Sequence, residues 1–324
     1  MSMRANGTEP RITVVGSLNM DLVISMDRMP VEGETLAGRE LHTLPGGKGA
    51  NQAAGAARLG VRTGMIGQVG DDAFGRQMLD QMKKMGVQSE AIGVHESAPT
   101  GIASIYHTED DNCIVIVAGA NGECTGEWVE RHREQIEQSH VLLVQLEVPL
   151  DAVRRSLEIA RAAGAATVLN PAPAQELPAD LLALADYVTP NETEFAALSG
   201  KEPASDPEIA EALGVWQREV GSRVILTRGG AGCSFLGEDG KLQTVAAPKV
   251  KVVDTTGAGD TLNAALCVKL AELAAGGGSA PNDGELREAL AFAVQAASLS
   301  VTRFGAQDGL PSRAEVDAAL ASAR

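Results

Sequence analysis

Val141 to Leu146, Thr167 to Leu169, Tyr187 to Thr189 and Val224 to Thr227 are short apolar runs separated by stretches of amphipathic helical spacing. A strand that is apolar on both faces has to be covered on both. Strand–helix alternation of this kind therefore predicts a mostly parallel sheet between layers of helices. Ile12 to Gly16 reads as a buried first strand, and Thr63 to Val69 as another. Lys48 to Leu59 is Ala-rich with helical spacing, and Gly60 is placed to stop it. Two long Ala-rich helices are expected from Gly257 to about Ala275 and from Gly284 to about Arg303, with Gly276-Gly277-Gly278-Ser279 as the loop between them.

A second kind of strand precedes these runs. Leu22 to Met26 and Thr35 to Leu41 alternate as strands with one wet face do. Gly101 to His107 and Cys113 to Ala118 are β-like too, and they flank a hairpin turn at Thr108-Glu109-Asp110-Asp111-Asn112. No internal repeat or linker divides the chain. The expected fold is therefore one α/β domain over residues 1–324, a three-layer α/β/α unit whose small β-sheet is inserted at about 18–45 and 99–119.

Composition narrows the function. With 44% hydrophobic and 22% charged residues the chain is suited to bury a large core, and its 3% aromatics argue against stacking platforms for nucleic acid. A formal net charge of −16 repels phosphate backbones, so nucleic acid and anionic membranes are poor partners. A nucleotide remains a possible ligand wherever backbone amides and cations oppose that field. Cys113, Cys124, Cys233 and Cys267 form no metal-ligand spacing and read as buried free thiols, and no histidine is spaced for a metal or a catalytic dyad. Met1 to Arg11 is polar, and no stretch is long and apolar enough to span a membrane, which makes the cytoplasm the expected location.

Chemistry concentrates in a few segments. Asp254-Thr255-Thr256-Gly257-Ala258-Gly259-Asp260 lies between an expected strand ending near Val253 and a helix. A Gly-rich turn exposes backbone N–H groups and the helix dipole adds positive potential, so Gly257, Ala258 and Gly259 suit an anion. Asp260, in the first turn, is placed to accept a proton from a hydroxyl attacking a phosphorus held there. The same spacing also suits a carboxylate that only caps its helix, and the motif alone does not choose.

Pro45-Gly46-Gly47-Lys48-Gly49-Ala50-Asn51 opens the first helix without the spacing of a Walker A loop. Gly46 and Gly47 allow close backbone approach, and Lys48 and Asn51 can grip hydroxyls; a plain turn with a solvated lysine is the alternative. Asn19 and Asp21 offer the donors and acceptors that suit a polyhydroxylated ligand, or make an Asx turn. Asn191 and Glu194 have capping-box spacing, and the same pair can hold Mg²⁺-bound water. Thr227-Arg228-Gly229-Gly230-Ala231-Gly232 suits a nucleotide's ribose and phosphates, or a hairpin turn. Glu147 lies beyond the carboxyl end of a strand, where open α/β sheets bind ligands.

Together these segments resemble the ribokinase branch of the PfkB carbohydrate kinase family, from Val15-Gly16-Ser17-Leu18-Asn19-Met20-Asp21 to Val301-Thr302-Arg303-Phe304-Gly305-Ala306-Gln307. Gly46 to Ala53, Gln145-Leu146-Glu147, Asn170 to Ala174, Thr189 to Glu194 and Asp254 to Asp260 fall between them in the family's order. The resemblance implies a ribokinase-like fold with a β-sheet lid that closes over the sugar and makes a homodimer contact. It implies transfer of the ATP γ-phosphate to a primary hydroxyl, O5 in the case of D-ribose. Asp260 is then the base, and Gly257, Ala258 and Gly259 the anion hole. Asn19, Asp21, Gly46, Gly47, Lys48, Asn51 and Glu147 hold the sugar. Asn191, Glu194, Thr227, Gly229, Gly230, Ala231, Gly232 and Gly259 face ATP and its Mg²⁺. A monovalent cation, usually K⁺, is implied at Asp254, Thr256, Ser300, Arg303, Gly305 and Gly309, mostly through backbone carbonyls.

Three positions depart from the family pattern. Leu262 replaces a Phe, Gly309 stands where Ser is usual, and Val294 falls where a His or Asn often touches the nucleotide, so the resemblance implies an apolar contact of Val294 with the nucleotide. None removes the base or the sugar's partners. Another sugar or a nucleoside (2-deoxyribose, fructose, adenosine) remains an alternative substrate, and a catalytically silent sugar-binding regulator an alternative role.

Overall fold

The computed structural model describes residues 9–108, 112–278 and 280–322. Glu109 to Asp111 of the expected hairpin turn, Ser279 of the glycine loop and residues 1–8 of the polar N-terminus lie outside the described residues. The strands are β1 (Arg11–Val15), β2 (Asn19–Ser25), β3 (Glu40–Gly46), β4 (Arg62–Gly70), β5 (Gln88–His95), β6 (Gly101–His107), β7 (Asn112–Val117), β8 (Val141–Val144), β9 (Ala166–Leu169), β10 (Tyr187–Val188), β11 (Arg223–Thr227), β12 (Cys233–Leu236) and β13 (Leu242–Val245).

They form two sheets. The main sheet has the order β13-β12-β11-β10-β9-β8-β1-β4-β5, parallel from β11 to β5, with β12 and β13 antiparallel at one edge. Its central strands are buried almost throughout, as their largely apolar runs require. One core lies on each face. Helices Lys48–Arg58, Ala258–Ala275 and Asp283–Ser300 cover the first; Leu150–Ala162 and Asp206–Glu219 contribute to the second. Helix Lys48–Arg58 packs so closely on Ala258–Ala275 that a Cβ on Gly55 would lie 2.9 Å from that of Ala264. Small residues at both surfaces permit this approach, which is the structural use of the Ala- and Gly-rich composition.

The smaller sheet, ordered β3-β2-β6-β7, is the lid. Its strands differ from expectation at β2, which begins at Asn19 and not at Leu22, and more widely at β3. Strand pairing begins at Glu40 and not at Thr35, because β3 is held in register against β2 from Ser25↔Glu40 to Asn19↔Gly46. Cross-strand pairing outweighs the local alternation of Thr35 to Leu41. β5 has no counterpart in the expected elements; it is an edge strand in which only Ala91 and Ile92 are buried, so its sequence carries little periodicity. The strand expected to end near Val253 is absent too. Val253 and Asp254 instead run as a loop whose N–H groups both donate to the Val301 carbonyl.

Candidate active site

The chain leaves β1 for β4 on one side, while β8 leads to β9 on the other, so connections diverge between β1 and β8. In an open α/β sheet such a point opens a crevice beyond the strands' carboxyl ends. Residues from both strands meet across it. The Ser17 hydroxyl donates to Glu147 Oε2 at 2.5 Å, and the Lys48 N–H donates to the same oxygen at 3.2 Å. Gly47, the N-cap of helix Lys48–Arg58, has φ 88°, and a Cβ there would lie 2.6 Å from the Asn19 nitrogen. Only glycine meets both conditions without strain. The helix thereby starts directly against the turn after β1.

Asn19 and Asp21 project from β2 at the base of the lid. Asn121 is completely built in: its Oδ1 accepts from Leu18 N at 2.8 Å, and its Nδ2 donates to Leu18 O and to Asn19 Oδ1, the latter at 2.7 Å. That last bond occupies the Asn19 oxygen, leaving the Asn19 NH₂ group as its donor for a ligand. Gly46 lies across from this pair, and a Cβ on it would fall 2.1 Å from Asp21 Oδ2, so the glycine makes room for the carboxylate. Burial, then the charges of Glu147 and Asp260, push Asp21 up to about 7 against the opposing pull of Lys48. Burial works against the Lys48 ammonium, yet the carboxylates of Asp260, Glu147, Glu194 and Asp21 outweigh it and lift Lys48 above its ordinary value.

Asp260 settles one alternative left open by its motif. It does not cap its helix: Gly257 is the N-cap, in the left-handed region at φ 75°, and no side chain caps there. The buried Asp260 carboxylate turns the other way and accepts from Gln52 Nε2 at 2.9 Å on Oδ1 and from Asn51 Nδ2 at 3.0 Å on Oδ2. Gly257, Ala258 and Gly259 surround the helix start, where N–H groups lack helical acceptors; the Ala258 N–H leans back on Thr255 O at 3.2 Å. Asn263, one turn on, ties this segment to the sheet by donating to Gly259 O at 2.9 Å and accepting from the Thr189 hydroxyl at 2.6 Å. Asn51, expected to grip a sugar hydroxyl, has its amide oxygen engaged by Gln307 Nε2 at 3.1 Å, so its second N–H is what it retains for a ligand.

Asn191 and Glu194 make the capping box that their spacing suggested, through bonds of 2.8 Å each way. Glu194 is also buried, which raises it above the usual carboxylate range, and it lies within electrostatic reach of Lys48 and Asp260. The capping reading of this segment therefore holds. Thr227 ends β11 and bridges to Asn191, and Gly229–Ala231 form a 3-10 turn into β12, so the Thr227 to Gly232 segment is a hairpin connection beside the same strand ends. Val294 is buried at 4% exposure within the core of its face. Its apolar side chain is spent on packing.

Asp254 joins two loops: Oδ1 accepts from Thr256 N and Oδ2 from Gly305 N, each at 2.9 Å. Gly309 lies opposite, and a Cβ on it would meet the carbonyl oxygens of Gly305 at 2.7 Å, Ser300 at 3.0 Å and Arg303 at 3.6 Å. Three carbonyl oxygens thus lie around the position that a side chain at 309 would take. The Ser300 hydroxyl is turned away onto Ala297 O, and the Arg303 guanidinium pairs with Glu315, so neither side chain competes for that space. Among the described residues no group of three or more His, Cys, Asp or Glu could hold a metal ion.

Several residues of this site carried no role in the sequence reading: Ser17, Gln52, Asn121, Gln145, Asn170 and Gln307. Each is buried and polar. Gln52 stands in an otherwise apolar, Ala-rich face, and a buried polar side chain of that kind needs a partner. Of the cysteines, Cys124, Cys233 and Cys267 are buried as expected, but Cys113 is exposed on β7. A cavity of 310 Å³ opens beside Asn19 and Glu147, lined also by Ile116 of the lid and Pro173. A larger hollow of 860 Å³ lies at the opposite end of the strands, where Arg161 pairs with Asp186 at 3.6 Å and Arg223 with Asp283.

Comparison with known proteins matches residues 9–313 to the family described as pfkB family carbohydrate kinase. The chain is 40% identical to a ribokinase of Bacillus subtilis over 311 residues, 95% of this chain and 99% of that protein. It is 36% identical to a mouse ribokinase over 313 residues, covering 95% and 94% of the two chains. Among solved structures, it is similar to the Arabidopsis thaliana ribokinase complexed with ribose and ATP, with a TM-score of 0.86 and 32% identity over 96% of this chain and 98% of that one.

Proposed function

The chain belongs to the pfkB family of carbohydrate kinases, and from that premise we propose that it transfers the γ-phosphate of ATP to O5 of D-ribose. The observation that carries this reading is the placement of Asp260. Its buried carboxylate stands at the N-terminal end of a helix, beside Lys48 and across from Asn19, Asp21 and Glu147. The relatives' names and the ribose and ATP complex of the Arabidopsis protein support the substrate pair.

In this mechanism Asn19, Asp21, Gly46, Gly47, Lys48, Asn51 and Glu147 orient the sugar in the crevice between β1 and β8. Asp260 takes the proton from O5 as that oxygen attacks in line. The transition state is loose, so the hydroxyl becomes acidic late and an ordinary carboxylate suffices. The N–H groups of Gly257, Ala258 and Gly259 receive the charge that develops on the transferred phosphoryl group. The lid covers the sugar and excludes water, which limits wasteful ATP hydrolysis. The nucleotide lies along Asn191, Glu194 and the segment Thr227 to Gly232.

Two cations fit the residues present. Four carboxylates, Asp21, Glu147, Glu194 and Asp260, surround one lysine, an excess of negative charge that would repel ATP unless Mg²⁺ accompanied it. Asn191 and Glu194 would hold its water shell. The carbonyls of Ser300, Arg303 and Gly305, with Asp254 and Thr256, would hold K⁺, and Gly309 leaves the space without adding an oxygen. Bound there, these ions supply positive charge at the phosphates and behind the anion hole.

The reading is tested by ADP release over ribose, 2-deoxyribose, fructose and adenosine, each with and without K⁺. Ribose is expected to give the highest kcat/KM and K⁺ to raise it. Turnover of adenosine alone would overturn the assignment.

We also place a second copy of this chain on the lid. Ile114, Val115, Ile116 and Val117 of the edge strand β7 are 51%, 52%, 43% and 51% exposed. An uncovered apolar edge strand is a template for pairing, and a symmetric partner removes the liability. Light scattering at micromolar concentration should report a dimer, and Val115→Lys with Val117→Lys a monomer; a monomeric wild-type protein would refute the contact.

A further inference from the structure

The base is approached by two chains of side-chain amides, one to each oxygen. In the first, Gln145 Nε2 donates to Gln52 Oε1, and Gln52 Nε2 donates to Asp260 Oδ1 at 2.9 Å and to Asn170 Oδ1 at 3.1 Å. In the second, Gln81 Nε2 donates to Gln307 Oε1 at 3.1 Å, Gln307 Nε2 to Asn51 Oδ1 at 3.1 Å, and Asn51 Nδ2 to Asp260 Oδ2 at 3.0 Å. Gln145, Gln52, Gln81, Gln307 and Asn51 each turn the nitrogen toward Asp260 along these chains; Asn170 is a side branch whose oxygen accepts from Gln52.

That common sense has one physical cause. An ionised carboxylate only accepts, so the amides beside it must present NH₂ groups. Their oxygens then face outward and require donors, which Gln145 and Gln307 provide. The Gln145 oxygen is left buried with no hydrogen-bond partner. Turning the Gln145 amide over would set Gln145 Oε1 against Gln52 Oε1, acceptor against acceptor, and turning Gln52 over as well would set Gln52 Oε1 against the carboxylate. The orphaned oxygen at the far end of the chain is thus the consequence of holding an anion at the near end.

We propose that Gln52 is a positioning residue for the base and that Gln145 acts through it by setting the sense of its amide. Gln52 has no exposed surface, so it reaches a substrate only through Asp260. It fixes the carboxylate's rotation, with Asn51 fixing the opposite oxygen, so that a free lone pair faces the attacking hydroxyl. The inference rests on the reading of Asp260 as the base.

Four proteins test it: wild type, Gln52→Met, Gln145→Met and the double variant, each with turnover and KM measured for ribose and sugar affinity by calorimetry. Methionine keeps the length of the side chain and removes its donor. Gln52→Met should lose about 10- to 100-fold in kcat, the loss typical of a misplaced reacting group, with KM and sugar affinity nearly unchanged. Gln145→Met should lose less, and the double variant should be no slower than Gln52→Met, because coupled residues are not additive. If Gln52→Met does not fold, a fall in kcat at constant KM in Gln145→Met carries the same conclusion. Losses that multiply in the double variant, a change confined to KM, or wild-type kcat in both single variants would overturn the proposal. Absence of any turnover by the wild type would overturn the functional reading, and this inference with it; turnover by wild type with unaffected variants would overturn this inference alone.

Discussion

Asp260→Asn is expected to lower turnover by about 10²- to 10⁴-fold, the range for loss of a positioned general base, while sugar affinity changes little. The amide that replaces the carboxylate cannot take the proton from the attacking hydroxyl. It also fits its surroundings poorly. Both carboxylate oxygens accept from amide nitrogens, Gln52 on one side and Asn51 on the other. An asparagine has one acceptor, so one of these contacts becomes donor against donor and costs about 1–3 kcal/mol of stability. Steady-state kinetics with ribose, together with calorimetric titration of the sugar, separates the two effects. Near-normal kcat in a folded Asp260→Asn protein would remove Asp260 from the base role.

The second large effect is on stability and comes from a glycine with no part in the chemistry. A Cβ on Gly49 would lie 2.6 Å from the Gly16 carbonyl carbon and from the Ser17 nitrogen, and 2.8 Å from Gly16 Cα. These are backbone atoms of the turn after the central strand β1, and they cannot rotate away as a side chain would. Gly49→Ala must therefore push helix Lys48–Arg58 off the sheet, at a cost of about 3 kcal/mol or more, the upper range for overpacking. The same shift withdraws Asn51 and Gln52 from Asp260 and lengthens the bond from Gly49 N to the Ser17 hydroxyl, now 3.3 Å. Denaturant unfolding should show the loss, and turnover should fall with it. Gly214→Ala is the control, since a Cβ there meets nothing nearer than 3.4 Å in mid-helix, and it should be neutral or slightly stabilising. Equal stability of the two variants would show that the helix start tolerates displacement.

The two substitutions mark different kinds of information. Val141–Val144, Ala166–Leu169 and Arg223–Thr227 form strands close to where their apolar runs lie, because a strand buried on both faces leaves its whole length apolar. Strand β5 and the true start of β3 were not legible. An edge strand carries little burial, and β3 takes its limits from β2 and not from its own alternation. The segment before Asp254 looked like a strand because Val252 and Val253 are apolar, yet both are more than half exposed and the backbone is held by Val301.

The same division runs through the site. Asp260, Lys48, Asn19, Asp21 and Glu147 were legible as polar residues at strand ends and glycine-rich turns, since those are the places where a sheet can offer them to a ligand. The helix-cap reading of Asp260 was equally legible, and only the tertiary structure rejected it. A local motif specifies where a side chain starts, but its direction depends on partners far away in the chain: Asn51 and Gln52 are 209 and 208 residues from Asp260. Asn191 and Glu194 could be read locally because both halves of a capping box lie within one helical turn. By itself, then, the sequence determined a parallel sheet covered on both faces and the set of groups around its open end. The folded chain alone decided that the Asp260 carboxylate turns away from its own helix, because the amides that draw it there, and the glycines that let their helix approach, come together only when β1 and the helix of Asp260 are packed.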